Sequence, residues 1–200
     1  METPNSVESI DIANAAEWEA WLANHSNQAG GVWLKIAKKG SGKTSVTITE
    51  ALDVALCYGW IDSQRKSYDQ TYYLQRYSPR RPRSPWSRLN VDRAEALLAA
   101  GRMQAPGLAE IRAAQADGRW DAAYQPQKTA SVPPDLAAAL EQHDQARHAF
   151  NRLTKSGQYA VVLSLLKATT AASRAVRLQK AIAKLMADNQ ASPIEPGRNE

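Results

Sequence analysis

Three prolines set three residues apart constrain the fold of this 200-residue chain more than any other feature. They are Pro79, Pro82 and Pro85, in the run YSPRRPRSPW over residues 77–86. Proline has no amide donor and restricts the residue before it, so this run can form neither a helix interior nor a central strand. We therefore predict that residues 78–85 lie extended over the surface and present Arg80, Arg81 and Arg83.

The segments before this run predict a β-hairpin. Residues 60–64 and 71–77 have strand-like composition, and the polar span 65–70 separates them. Because alternate residues of a strand share a face, Asp62 and Arg76 are predicted to be neighbours across the pair. This pair is either a structural ion pair that sets strand register or part of a binding site, and both alternatives stay open.

Aromatic and arginine side chains concentrate in the same part of the chain. Seven of the fourteen aromatic residues lie between Tyr58 and Trp86. Guanidinium groups beside aromatic planes bind phosphate, carboxylate or a flat ring. We predict that Trp60 and Trp86 line one concave pocket, and that Asp62, Arg76 and at least one of Arg80, Arg81 and Arg83 point into it. The candidate ligand-binding residues are Trp60, Asp62, Arg76, Tyr77, Arg80, Arg81, Arg83 and Trp86.

The residues before the hairpin predict two helices and a strand. Apolar periodicity indicates a helix over 15–24 and a strand over 32–37. Thr47 and Glu50 fit a capping box for a helix that ends near Tyr58. Cys57 lies in the last turn of that helix with no histidine nearby in sequence, so we predict a buried apolar residue and not a nucleophile.

We expect neither a metal site nor a cofactor. Cys57 is the sole cysteine, which excludes an internal disulfide and any zinc site built on several thiolates. Of the three histidines, His143 and His148 are five residues apart, a poor spacing for two ligands on one helical face.

The pattern of elements predicts an α+β fold, with a small antiparallel sheet packed against helices and followed by an all-helical C-terminal segment. Residues 1–124 are predicted to form the α+β domain, 125–134 a linker, 135–190 the helical segment and 191–200 a disordered tail. Within the helical segment, apolar spacing predicts helices at about 135–142, 144–154, 157–168 and 171–189.

The distribution of charge and apolar residues bears on location and partners. No run of about 18 apolar residues and no secretory signal pattern occurs, so we expect a cytoplasmic protein without membrane insertion. The chain carries a net charge of +5, and basic residues are dense between Asp62 and Arg93. This asymmetry favours an acidic ligand or partner.

Three blocks of sequence resemble the YdeI/OmpD-associated family, also labelled bacteriocin-protection proteins. They are GVWL at 31–34 with KK at 38–39, ALCYGWID at 55–62, and QRYSPRRPRS at 75–84 with WS at 86–87. The blocks fall within residues 15–124, and residues 135–188 look like the family's C-terminal segment.

In that segment the resemblance rests on basic positions. Arg174, Arg177 and Lys180 match them, whereas Ala171 and Ala172 stand where the family has an acidic residue and a proline. The resemblance implies a role in resistance to envelope stress and antimicrobial peptides. It also implies an outer-membrane porin as a partner, and no established catalytic residues.

The residues favour binding over catalysis. The leading hypothesis is a non-catalytic protein that takes a small anionic ligand, or an anionic partner, in an Arg/aromatic pocket. An enzyme with Asp62 as general base and Arg76 holding an oxyanion is the alternative, although an adjacent arginine lowers the pKa of a carboxyl group and makes it a poor base.

Two further functions stay open. Binding of single-stranded nucleic acid suits stacking aromatics and arginines. Nucleic acid is nevertheless not the expected partner, because no recognised nucleic-acid motif occurs and acidic stretches repel a phosphate backbone. The last alternative is a protein-interaction role for the C-terminal helices.

Overall fold

A computed structural model describes the backbone of residues 9–190 and the side chains of residues 9–187. The predicted α+β class with a helical C-terminal part is confirmed. The predicted tail at 191–200 lies outside the described residues. In chain order the elements are β1 (Ser9–Asp11), α1 (Ala15–His25), β2 (Val32–Ala37), α2 (Ile48–Cys57), β3 (Trp60–Ser67), β4 (Tyr72–Pro79), α3 (Arg88–Ala99), α4 (Ala105–Ala116), α5 (Pro134–Gln142), α6 (Asp144–Arg152), α7 (Lys155–Leu166) and α8 (Ala171–Gln190).

These elements belong to two compact units. The first contains residues 9–86 and 90–122, and the second contains residues 87–89 and 123–190. The sheet and α1, α2 and α4 lie in the first unit, and α5 to α8 lie in the second. None of the helices described over residues 9–190 combines the length and the apolar content needed to cross a membrane.

The sheet has the order β1-β2-β4-β3. The predicted hairpin is present, since β3 and β4 pair in antiparallel fashion, and β2 is antiparallel to β4 on its other side. The sheet is mixed, however, because β1 runs parallel to β2. A strand of three residues is too short to show an alternating pattern, so it could not be recognised in the sequence.

Two buried tryptophans join α1 to the sheet. The ring of Trp18 packs edge-on against Trp60 at 6.3 Å between centroids and lies 5.7 Å from Tyr77. Each indole donates a hydrogen bond to a backbone carbonyl, Trp18 to Ala51 at 3.0 Å and Trp60 to Ser26 at 2.8 Å. The rings are therefore buried without leaving either N–H unpaired.

Helix α2 begins and ends as its sequence predicts. The Thr47 hydroxyl accepts from the Glu50 amide, and the Glu50 carboxylate accepts from the Thr47 amide. After the last helical residue, Cys57, the chain turns through Gly59 at φ +73°. Cys57 is buried, and burial raises the pKa of its thiol to about 11, so the thiol is protonated at neutral pH.

A β-bulge interrupts β3. Asp62 pairs with Tyr77 and Arg65 pairs with Gln75, so the register shifts between these two pairs. The buried Gln75 amide is satisfied there, because its nitrogen donates to the Gln64 carbonyl at 3.2 Å and its oxygen accepts from Arg65 at 3.1 Å. Bulges of this kind re-aim individual side chains.

The second unit is a helical assembly with its own apolar core, made by Leu136, Leu140, Ala146, Ala149, Phe150, Val162, Leu165, Ile182 and Leu185. Two arginines of α8 bind the last turn of α7: Arg174 donates to the Leu165 carbonyl and Arg177 to the Ser164 carbonyl. Arg174 also forms an ion pair with Asp135 of α5. These bonds tie α8 to carbonyls at the C-terminal end of α7, where the Leu165 carbonyl also accepts from the Ala168 amide at 3.0 Å.

Gly31 is a position where the backbone requires glycine. Its φ is +67°, and a Cβ atom built there would lie 2.5 Å from the Tyr77 carbonyl oxygen. We predict that Gly31→Ala lowers the free energy of unfolding by more than about 2 kcal/mol, since strain and clash add. The neighbouring Gly30→Ala is the matched control, because a Cβ there meets nothing within 4 Å. Urea denaturation of both variants checks this, and equal stability of the two would contradict it.

Candidate functional site

Asp62 and Arg76 do not form the predicted pair. Asp62 lies opposite Tyr77 in the β3–β4 register, whereas Arg76 lies opposite Trp33 in the β2–β4 register. Directly paired residues share a face of the sheet, and successive residues alternate. Asp62 and Arg76 therefore lie on opposite faces, because a register that differs by one residue reverses the face of every side chain.

The predicted shared pocket of Trp60 and Trp86 is not formed either. Trp60 and Tyr77 are fully buried in the core of the first unit. Trp86 is 1% exposed and packs against Trp120, at 4.8 Å between ring centroids. Large aromatic side chains gain most by burial against each other, so these rings build cores and present no wall to a ligand.

The proline-spaced run is a braced loop, and only part of it is presented as predicted. Arg81 and Arg83 are exposed. Arg80 is 6% exposed: its guanidinium lies 3.8 Å from the centroid of the Trp86 ring and donates to the Pro85 carbonyl at 2.9 Å. The prediction that Arg80 is presented is therefore wrong, because stacking and hydrogen bonding hold it inside the loop.

The loop contains a strained turn. The Ser84 amide donates to the Arg81 carbonyl at 3.0 Å, with Pro82 and Arg83 at the two central positions. Arg83 has φ +60°, a positive value at a position where glycine is the usual residue of a type II turn. The Ser84 carbonyl also accepts from Arg119 at 2.9 Å, which fixes the loop from outside.

Arg76 lines a different pocket, which the sequence did not indicate as a site. This cavity has a volume of about 570 Å³, and its lining within the described part of the chain contains aromatic, amide and imidazole groups but no carboxylate. Its lining is Ile10, Trp21, His25, Gln28, Gly30, Gly31, Val32, Trp33, Gln64 and Arg76. Among the eight predicted site residues, Arg76 is the one that lines this cavity.

The polar groups of this pocket, named here the Arg76 pocket, are held in place. Arg76 donates to the Gly30 carbonyl at 2.7 Å. His25 stacks on Trp21 at 4.3 Å and 10° between ring planes, and its Nδ1 lies 2.7 Å from the Trp21 carbonyl oxygen. Lys66 covers the ring of Trp33 at 4.7 Å, which adds a second cation beside the pocket. Cations and hydrogen-bond donors thus meet at one concave surface.

Parts of this arrangement had a sequence signal. Trp21 and His25 are four residues apart, the spacing at which two helical side chains meet. Gly31, directly before β2, marks the position where the backbone passes close to Tyr77. The register that brings Trp33 opposite Arg76 joins residues far apart in the chain, so neither periodicity nor composition could reveal it.

Asp62 has an environment of its own. Burial raises the pKa of its carboxyl group, although the charges of Arg65, Arg80 and Arg93 act in the opposite direction. The carboxylate is therefore disfavoured in the folded protein relative to the unfolded chain. Within residues 9–187, no cluster of three or more His, Cys, Asp or Glu side chains could hold a metal ion.

We predict that Arg83→Gly is more stable than Arg81→Gly by about 1 kcal/mol or more. Both variants lose one exposed guanidinium and gain the same freedom in the unfolded chain, but only Arg83→Gly relieves a positive φ. Chemical denaturation of the two proteins measures the difference. Equal stabilities would show that the turn at Arg83 carries no strain.

The raised pKa of Asp62 predicts a pH-dependent stability. Its protonated form is favoured by folding, so this contribution is present below the unfolded pKa and is lost as the pH rises through the folded pKa. We expect Asp62→Asn to have a higher free energy of unfolding than the parent near pH 7, with the difference shrinking toward about pH 3. Urea titrations across this range test it, and a variant that is less stable near pH 7 would contradict it.

Two parts of this chain match models of known protein families. Residues 10–110 match a domain of unknown function (DUF8412), and residues 129–188 match the family described as bacteriocin-protection, YdeI or OmpD-associated. The comparison with curated proteins and the comparison with solved structures each found no significant match.

The first match covers β2 to β4, most of β1 and the Arg76 pocket, and the second covers α5 to α7 and most of α8. The resemblance seen in the sequence is confirmed over residues 129–188, whereas the blocks that carried it, at residues 31–87, all lie within the match to the domain of unknown function. The chain therefore belongs to the DUF8412 family, whose model covers residues 10–110, and its segment 129–188 matches the YdeI/OmpD-associated family.

Proposed function

We propose that this protein is a non-catalytic binding protein that takes a small anionic ligand in the Arg76 pocket. The observation that carries the proposal is the juxtaposition of the Arg76 guanidinium with Trp21, His25 and Trp33 around a cavity of about 570 Å³. This volume lies within the range of small-molecule sites, which is about 300–1,000 Å³. This pocket takes the place of the Arg/aromatic pocket predicted from the sequence.

The lining chemistry selects the ligand's charge. The Arg76 side chain makes one hydrogen bond within the described residues, to the Gly30 carbonyl, and a guanidinium carries five N–H donors. No carboxylate from residues 9–187 lines the cavity, while Lys66 adds positive charge over Trp33. A carboxylate or phosphate that also has a flat or apolar part satisfies both the donors and the indole rings.

Catalysis has less support from this geometry. The enzymatic alternative needed Asp62 and Arg76 to act on one substrate, and the two lie on opposite faces of the sheet.

Binding of single-stranded nucleic acid is the second candidate function. It is favoured by two cations of the sheet that lie over aromatic rings: Lys66 lies over Trp33, and Lys35 lies over Tyr68 at 5.2 Å. Cations beside aromatic rings are the composition of stacking surfaces.

The biological role we propose is the one in the family description, protection against bacteriocins. Residues 129–188 carry that match, so the ligand-binding unit and the family segment are two parts of one chain. The description also names association with OmpD, and we propose that any such partner is recruited separately from the ligand.

We predict that Arg76→Ala weakens anion binding at least tenfold and that Arg76→Lys restores part of it, since lysine keeps the charge but lacks the planar fork. A thermal-shift panel of aliphatic and aromatic carboxylates and phosphates identifies a ligand, followed by calorimetry. Saturation at about 100 Kd stabilises the folded state by about 2.7 kcal/mol, which such a panel detects.

The matched control is Arg81→Ala/Arg83→Ala, which removes exposed arginines outside the pocket. Retained binding in that variant and loss in Arg76→Ala support the proposal, and the reverse result assigns the ligand to the loop. A single-stranded oligonucleotide is tested in the same way. If it displaces every small anion and its affinity falls steeply as the salt concentration rises, the nucleic-acid alternative replaces the proposal. Bacteriocin survival of cells expressing each variant should follow ligand affinity.

A further inference from the structure

The second unit contains an apolar groove between α7 and α8. It has a volume of about 480 Å³ and lies within the residues that match the YdeI/OmpD-associated family. Its apolar lining is formed by Leu153, Gly157, Ala160, Val161, Ala181 and Leu185. A concave apolar surface of this size is within the range of small-molecule sites.

Cations border this groove along α8. Arg177, Lys180 and Lys184 line it together with Ser164, and none of its lining residues within 9–187 is a carboxylate. Their spacings of three and four residues place them on one face of the helix, over about two turns. The groove therefore combines an apolar floor with a positively charged rim.

The basic residues of α8 have different roles. Arg174 and Arg177 are structural, because both donate to carbonyls at the end of α7 and Arg174 also pairs with Asp135. Lys180 and Lys184 are exposed, and within residues 9–187 neither has a hydrogen bond or an ion pair. The packing of the unit accounts for the arginines but not for the two lysines.

We propose that this groove binds a single-chain anionic amphiphile of the medium-chain carboxylate class. The alkyl chain lies on the apolar floor, and the carboxylate meets Lys180 and Lys184 at the rim. Charge complementarity selects an anion, and the apolar lining selects a chain over a small polar ion. This site is separate from the Arg76 pocket and does not depend on the function proposed for it.

The length of the groove favours a small amphiphile over a protein segment. Residues 177–185 span about 12 Å of helix at 1.5 Å per residue. A stable protein interface buries roughly 800 Å² on each partner, which is more than a groove of this length offers. A flexible alkyl chain needs no surface beyond the groove itself.

The experiment is calorimetric titration of the full chain with decanoate, kept below the concentration at which it forms micelles. Decanol and decyltrimethylammonium are the uncharged and cationic controls. We expect decanoate to bind at least tenfold more tightly than either control. Shortening the chain to octanoate should weaken binding, by up to about fourfold per methylene removed.

Variants locate the binding. Lys180→Glu/Lys184→Glu should lower decanoate affinity at least tenfold, while Lys155→Glu, on α7 outside the groove, should leave it unchanged. Ala160→Trp fills the groove from an exposed position and should block binding with the helical circular dichroism intact. Arg76→Ala should bind decanoate normally, which separates this result from the test of the Arg76 pocket.

Four results would overturn the inference. They are no binding of decanoate, equal binding of decanol, unchanged affinity in the Lys180→Glu/Lys184→Glu variant, and loss of binding in Arg76→Ala. Displacement of decanoate by an acidic amphipathic peptide that binds more tightly would also overturn it, and would identify the groove as a protein-docking site.

Discussion

The packing of Trp18 against Trp60 and Tyr77 is the interaction on which the first unit depends. It fastens α1 to the hairpin, and both indole N–H groups find carbonyl partners, so these large rings are buried without an unpaired donor. One helical turn beyond Trp18, Trp21 stacks on His25 and lines the Arg76 pocket. Helix α1 thus contributes Trp18 to the core and, one turn later, Trp21 and His25 to the candidate site.

The backbone between α1 and β2 completes that site. Gly31 allows the chain to pass against the Tyr77 carbonyl, where a side chain would clash, and the Gly30 carbonyl then receives the Arg76 guanidinium. On the other side, the bulge in β3 lies next to Gln64, another lining residue. Irregular backbone on both sides therefore shapes a pocket that regular strands alone would not form.

The two candidate sites select anions by different physical means. The Arg76 pocket offers a planar guanidinium among aromatic rings, which suits directional recognition of a carboxylate or phosphate. The groove between α7 and α8 offers flexible ammonium groups above an apolar floor, which suits an amphiphile whose chain contributes most of the affinity. The sites lie in different units and in segments with different family matches, so each can be tested without disturbing the other.

Local sequence patterns determined most of the secondary structure. The capping box of α2, the alternation of β2, the hairpin and the four C-terminal helices all follow from spacing within a few residues. The three-residue strand β1 does not follow from such spacing. Neither does the burial or exposure of each arginine. Composition marked residues 76–83 as rich in arginine, but only tertiary packing decided that Arg80 is buried on Trp86, that Arg81 and Arg83 are exposed, and that Arg76 faces Trp33. Periodicity depends only on residues that are close in the sequence, so it can be recognised there. Strand register and aromatic stacking join residues that are distant in the chain, and a register difference of one residue moves every side chain of the strand to the other face of the sheet.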